Sequence, residues 1–183
     1  MLNEPKMSDP LQLEGLAARA DRWSHRLAWL TDRVAAALLL LLVLDVWLGV
    51  VVRYLVPLPI TFMEEAARYL MIWVALLAVS SCIPRREHIG VQVLFERLPA
   101  AARRGLLLML DLLAIAFFVF LALYGLGLVE RGGKTFTMIY GISKALPFAA
   151  VPVGAALAAV QLILVAARDQ ARLRRQPLQV VFP

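Results

Sequence analysis

With 183 residues, 62% of them hydrophobic, and a formal net charge of +6, the chain spends nearly all its length on apolar segments and short joins, which leaves no room for a soluble catalytic domain. Its single cysteine, Cys82, excludes an internal disulfide framework and any multi-cysteine metal site, and is expected to serve as a small apolar packing residue. The positive charge does not read as nucleic-acid binding, because the basic residues flank long apolar runs, where topology and anionic lipid account for them.

Residues 1–33 form a first unit. Asp9 before Pro10 reads as an N-cap with proline at the first helical position, where its missing N–H costs nothing. Leu13, Leu16, Ala20, Trp23, Leu27 and Leu30 then repeat at spacings of three and four, with Glu14, Arg19, Asp21, Arg22 and Arg26 on the other faces. This predicts an amphipathic helix lying on the membrane surface or against a neighbouring helix, and leading into a span. The run is too long and begins too late to read as a secretory signal.

Residues 34–167 hold four apolar segments, about 34–54, 65–83, 105–129 and 146–167. Each approaches or exceeds the ~20 residues that an α-helix needs to cross a ~30 Å hydrocarbon core. Helices satisfy their own backbone in lipid, so an all-α membrane protein with four transmembrane helices is predicted. Fourteen of the 19 Lys and Arg residues lie before the first segment, between the second and third, or after the fourth. Only Arg53, Arg68, Arg131, Lys134 and Lys144 belong to the other two joins. The positive-inside rule then places both termini and the middle loop in the cytoplasm, in a bacterial inner membrane.

Asp45 stands near the middle of the first segment, with Gly49 one turn further on the same face. A central Asp costs ~2.5–3.5 kcal/mol on insertion, which the surrounding Leu and Val residues outweigh. The acid should turn away from lipid and Gly49 should allow close approach of another helix. Asp45 admits two readings, a helix–helix hydrogen bond or a proton or ion carrier, and no second acid or base at matching depth favours the carrier.

Arg53 and Tyr54 close the first segment, and Pro57 and Pro59 make a stiff turn. Thr61 and Glu64 then fit a capping box, and Glu64 and Glu65 suit the positive end of the helix dipole. Glu64 and Arg68 stand at i and i+4 in the favourable order for an ion pair. Arg53, Glu64, Glu65 and Arg68 are therefore candidates for a partner contact at the outer ends of two helices. The second segment stops at Pro84. Between His88 and Pro99, the spacing of Val91, Leu94, Phe95 and Leu98 predicts a short helix in the interface. His88, just before it, lacks the companions that a metal ligand would need.

Asp111 lies about two turns into the third segment, and Gly132-Gly133 and Tyr140-Gly141 read as turns beyond it. The fourth segment contains Pro147, Pro152 and Gln161, and Gly154, Ala155, Ala156, Ala158 and Ala159 form a face for tight helix packing. Residues 168–183 make a basic tail. No internal repeat is apparent.

Particular residues go further than topology. Arg53-Tyr54, then Thr61, Glu64-Glu65, Arg68-Tyr69 and Trp73 resemble a pattern of the DctQ-like proteins, the small membrane subunits of tripartite ATP-independent periplasmic (TRAP) transporters. Arg85-Arg86-x-His88-Ile89-x-Val91, Leu98-Pro99, Gly141-Ile142-Ser143 and Val151-Pro152-Val153-Gly154 continue the match. Gln92 departs from it, standing where the family often has Asp. The resemblance implies an accessory subunit without cofactor of its own. A periplasmic solute-binding protein would capture a small organic anion, a carboxylate or sialic acid. A large subunit, expected as a separate polypeptide, would move it with sodium, while this chain stays static as a scaffold. The rival is a small four-helix proton-coupled multidrug exporter using Asp45. An enzyme is not indicated, since no nucleophile–base pair or metal cluster stands out.

Overall fold

Proline at the start of a helix forfeits no hydrogen bond, and the first helix of the computed structural model begins there. Residues 10–55, 62–85, 99–137, 141 and 143–173 are described. Helix α1 spans Pro10–Leu55, α2 Phe62–Cys82, α3 Ala100–Gly133, α4 Ala145–Phe148 and α5 Ala150–Leu173, with a 3-10 turn at Ile83–Arg85 after α2. Four stretches are long and apolar enough to cross a membrane: Ala18–Leu55, Met63–Arg85, Gly105–Gly133 and Ala145–Gln170. Among the described residues there is no strand, only an isolated bridge between Phe136 and Ser143.

The amphipathic segment and the first span are one helix. No Pro or Gly interrupts the chain between Leu16 and Leu48, and Thr31 turns its hydroxyl back onto the Leu27 carbonyl at 2.8 Å. Forty-six residues make about 69 Å of helix, more than twice the hydrocarbon thickness. Its amino-terminal half lies against α5, one of the two placements that its periodicity allows. Buried Gln161 of α5 donates to the Ser24 carbonyl at 2.9 Å, and Arg168 reaches Asp21 at 3.3 Å.

Helix α5 is the keystone. It packs on α1, α2 and α3, whereas α3 packs on α5 and the short α4. The small-residue face makes this possible: Ala155, Ala158 and Ala159 are buried, although Ala156 of the predicted set is exposed. A Cβ on Gly154 would lie 2.7 Å from the Leu76 Cβ of α2, and one on Gly125 of α3 would lie 3.1 Å from Pro152. Backbones meet at those points because no side chain intervenes.

The structure amends four expectations. Gly132 and Gly133 end α3 rather than form a turn; a Cβ on Gly132 would strike Phe148, so that glycine is required by packing. The fourth span is interrupted at Ala149 because Pro152 has no N–H to offer the Phe148 carbonyl. Cys82 is exposed rather than packed. The second span does not stop at Pro84: its α-helix ends at Cys82, and Pro84 is the middle residue of a 3-10 turn that runs on to Arg85. Gly141, with φ of 63°, adopts the left-handed conformation that a turn asks of glycine. Thr61, the Pro57–Pro59 turn, His88 and the predicted interfacial helix lie outside the described residues.

Ion pairs fix which ends lie together. Arg85, after α2, bonds Asp32 of α1 at 3.2 Å, while Arg168 near the end of α5 bonds Asp21. The amino-terminal half of α1, the end of α2 and the end of α5 therefore share one end of the molecule. Arg53, Glu64, Arg68, Arg131 and Lys144 occupy the other.

Candidate functional site

At that second end, α1 and α2 are brought together along the face carrying Leu42, Asp45, Gly49 and Val52, all half-buried. Gly49 meets buried Met63 of α2, where a Cβ would lie 3.5 Å from the sulfur, so the close approach expected of this glycine is to α2 of the same chain. Asp45, one turn deeper, turns its Oδ2 into the protein, and that oxygen has no hydrogen-bond partner among the described residues. The helix–helix hydrogen bond, one of the two readings for this acid, is not made at that oxygen.

The four charged candidates divide. Arg53, Glu64 and Arg68 are exposed, while Glu65 is half-buried. Among the described residues no ion pair joins any of them, so the Glu64–Arg68 pair suggested by spacing does not form. Glu65 instead takes a hydrogen bond from the Tyr69 hydroxyl at 2.6 Å on Oε1, and its Oε2 is buried without a partner among the described residues. One turn of helix aligns Glu65 with Tyr69, and the ring of Tyr69 needs an acceptor at its polar tip. The result is one acid committed to its own helix and three exposed charges.

Beside Tyr69 an apolar groove of about 710 Å³ opens between α1, α2, α4 and α5, lined by Leu30, Val34 and Leu38, by Trp73 and Leu77, by Pro147 and by Leu157 among others. Sequence reasoning did not find it, since it arises from the meeting of four helices. Nor did it find the buried group at the other end, where Arg168 bonds Asp169 at 2.8 Å and Asp21 at 3.3 Å while Gln161 holds Ser24. Gln161 was visible as a polar residue seven positions after Gly154 on the small-residue face, but its partner, 137 residues away, was not. Among the described residues no group of three or more His, Cys, Asp or Glu side chains could hold a metal ion.

The model of the DctQ component of tripartite ATP-independent periplasmic transporters matches residues 42–172, which takes in the α1–α2 face, all of α2 and the α5 keystone but not the part of α1 that lines the groove. The chain belongs to the DctQ family. It is a component of a TRAP transporter, its small membrane subunit, and not an enzyme. A Haemophilus influenzae protein provisionally named as a TRAP transporter small permease protein is 33% identical over 79 residues, 43% of this chain and 49% of that protein. The alignment thus spans about half the length of that relative. Four apolar helices and membership of the DctQ family make this a multi-pass protein of the inner membrane.

Proposed function

We propose that this DctQ subunit is the static scaffold partner of a large elevator-type TRAP subunit, in a sodium-coupled importer of small organic anions fed by a periplasmic solute-binding protein. The family match carries the reading. Its fold supports a static role: glycine contacts lock α5 to α2 and α3, and such close backbone packing resists sliding. The outward charges Arg53, Glu64 and Arg68 are the surface offered to a partner at the outer end. Sodium belongs to the large subunit, and the substrate class, carboxylate or sialic acid, rests on the resemblance alone.

The proposed orientation places both termini and the join after α2 in the cytoplasm. Arg19, Arg22, Arg26, Arg33, Arg85 and Arg168 gather at that end, which supports it under the positive-inside rule. Reconstitution tests the assignment. Vesicles with this chain alone should take up no organic anion, and sodium-dependent uptake should require the large subunit and loaded binding protein together. Uptake by the other two components at the full rate without this chain would overturn the scaffold role. Extrusion of a cationic dye by this chain alone, lost in Asp45→Asn, would establish the exporter instead.

A further inference from the structure

The amino-terminal half of α1 carries a basic stripe that the fold leaves open. Arg19, Arg22, Arg26, Trp29 and Arg33 recur at spacings of three and four, and so share one face. All five are exposed. Their neighbours Asp21 and Asp32 are engaged elsewhere, with Arg168 and Arg85. Among the described residues none of these four arginines has a carboxylate within ion-pair distance. Aromatic rings steady two of them instead: the Arg33 guanidinium lies 4.1 Å over Trp29, and that of Arg26 lies 5.8 Å from Trp23. A guanidinium stacked on a ring keeps its edge N–H donors for a second, anionic partner.

That stripe borders the apolar groove. Leu30 and Val34 line the groove and are themselves more than two-fifths exposed, which places them at its mouth. Arg26 stands one turn before Leu30 and Arg33 one turn after it, so two unneutralised cations flank the opening. We propose that this site holds one anionic phospholipid, its phosphate on Arg26 and Arg33 and an acyl chain in the groove between α1, α2, α4 and α5. The lining is almost wholly apolar and suits hydrocarbon, while the exposed Trp23 and Trp29 on the bordering stripe suit headgroup depth. A partner helix could fill the groove but would not account for the unneutralised arginines at its mouth. The site is independent of what the transporter carries.

Native mass spectrometry of the purified full chain, incubated with phosphatidylglycerol, with phosphatidylcholine of the same acyl chains, or with soluble glycerol phosphate, tests this. The parent should retain one phosphatidylglycerol at least roughly tenfold more strongly than phosphatidylcholine, and glycerol phosphate should not be retained. Arg26→Gln with Arg33→Gln should reduce phosphatidylglycerol retention to the level of phosphatidylcholine. Val34→Trp, which fills the groove mouth, should reduce retention of both lipids and keeps the test alive should the double variant fail to fold. Arg131→Gln, at the opposite end, should change nothing. Unchanged retention in either the double variant or Val34→Trp overturns the site. So does glycerol phosphate bound as tightly as the lipid, or a cross-linker at residue 34 that captures only the large subunit in the assembled complex.

Discussion

Gln161 and Ser24 are joined twice: the Gln161 side-chain amide donates to the Ser24 carbonyl at 2.9 Å and to its hydroxyl at 3.1 Å, and both residues are fully buried. This contact holds the amino-terminal half of α1 against α5. Gln161→Ala should therefore lower stability by about 1–3 kcal/mol, while Ser24→Ala, which keeps the carbonyl acceptor, should cost less. Denaturation of the detergent-solubilised protein, followed by circular dichroism, gives both values. Equal losses would mean that the hydroxyl bond dominates.

Arg168 is the cation between Asp21 and Asp169, and it is largely buried. Arg168→Ala should cost about 3 kcal/mol, because two carboxylates lose a shared partner in a poorly solvated site. Arg168→Lys should recover part of this, since a single ammonium cannot reproduce the two-sided guanidinium geometry. The loss should change little with salt, as burial shields the contact from screening.

The glycines of this protein are not equivalent, and two single substitutions separate them. Gly154→Ala should destabilise by about 1–3 kcal/mol, because the new methyl would sit against the Leu76 Cβ and neither backbone can yield cheaply. Gly127→Ala, with nothing within 4 Å of the added atom and an α-helical backbone, should be neutral or stabilising by up to about 1 kcal/mol. Melting temperatures of the two variants in one detergent decide the point.

At the outer end, exposure separates folding from assembly. Arg68→Ala and Glu64→Gln should leave the isolated chain within about 0.5 kcal/mol of the parent. Glu65→Ala should cost about 1–2 kcal/mol, because Tyr69 loses its acceptor. If the outward charges grip the large subunit, Arg68→Ala will lower co-purification at unchanged expression. Full assembly in Arg68→Ala and Glu64→Gln would move the contact surface elsewhere.

Orientation is open to direct measurement. A reporter after Pro183 should behave as cytoplasmic and one inserted between Lys134 and Thr135 as periplasmic. The insertion belongs there rather than at Gly132, which is wedged against Phe148. Opposite signals at both sites would invert the proposed map.

Much of this architecture was legible in the residues, because the bilayer imposes one-dimensional rules. Apolar length locates spans, and the placement of Lys and Arg ranks their ends. The face of Gly154, Ala155, Ala158 and Ala159 could be read from spacing, since helical period alone puts them together. The order of Arg53-Tyr54, Glu64-Glu65 and Arg68-Tyr69 was enough to suggest the family. What spacing could not decide was which of several possible partners each polar group takes. Glu64 and Arg68 had the right separation, yet both side chains are exposed and it is Glu65 that pairs, with Tyr69. Gly132-Gly133 looked like a turn, and only the approach of Phe148 shows why α3 needs glycine there. The fixing of α1 to α5 through Ser24, Gln161, Asp21 and Arg168 joins positions far apart in the chain, as does the groove between α1, α2, α4 and α5. Local sequence sets each helix and its apolar face. The crossing of helices, set by where backbones can touch, decides which charges are buried together and which are left facing out.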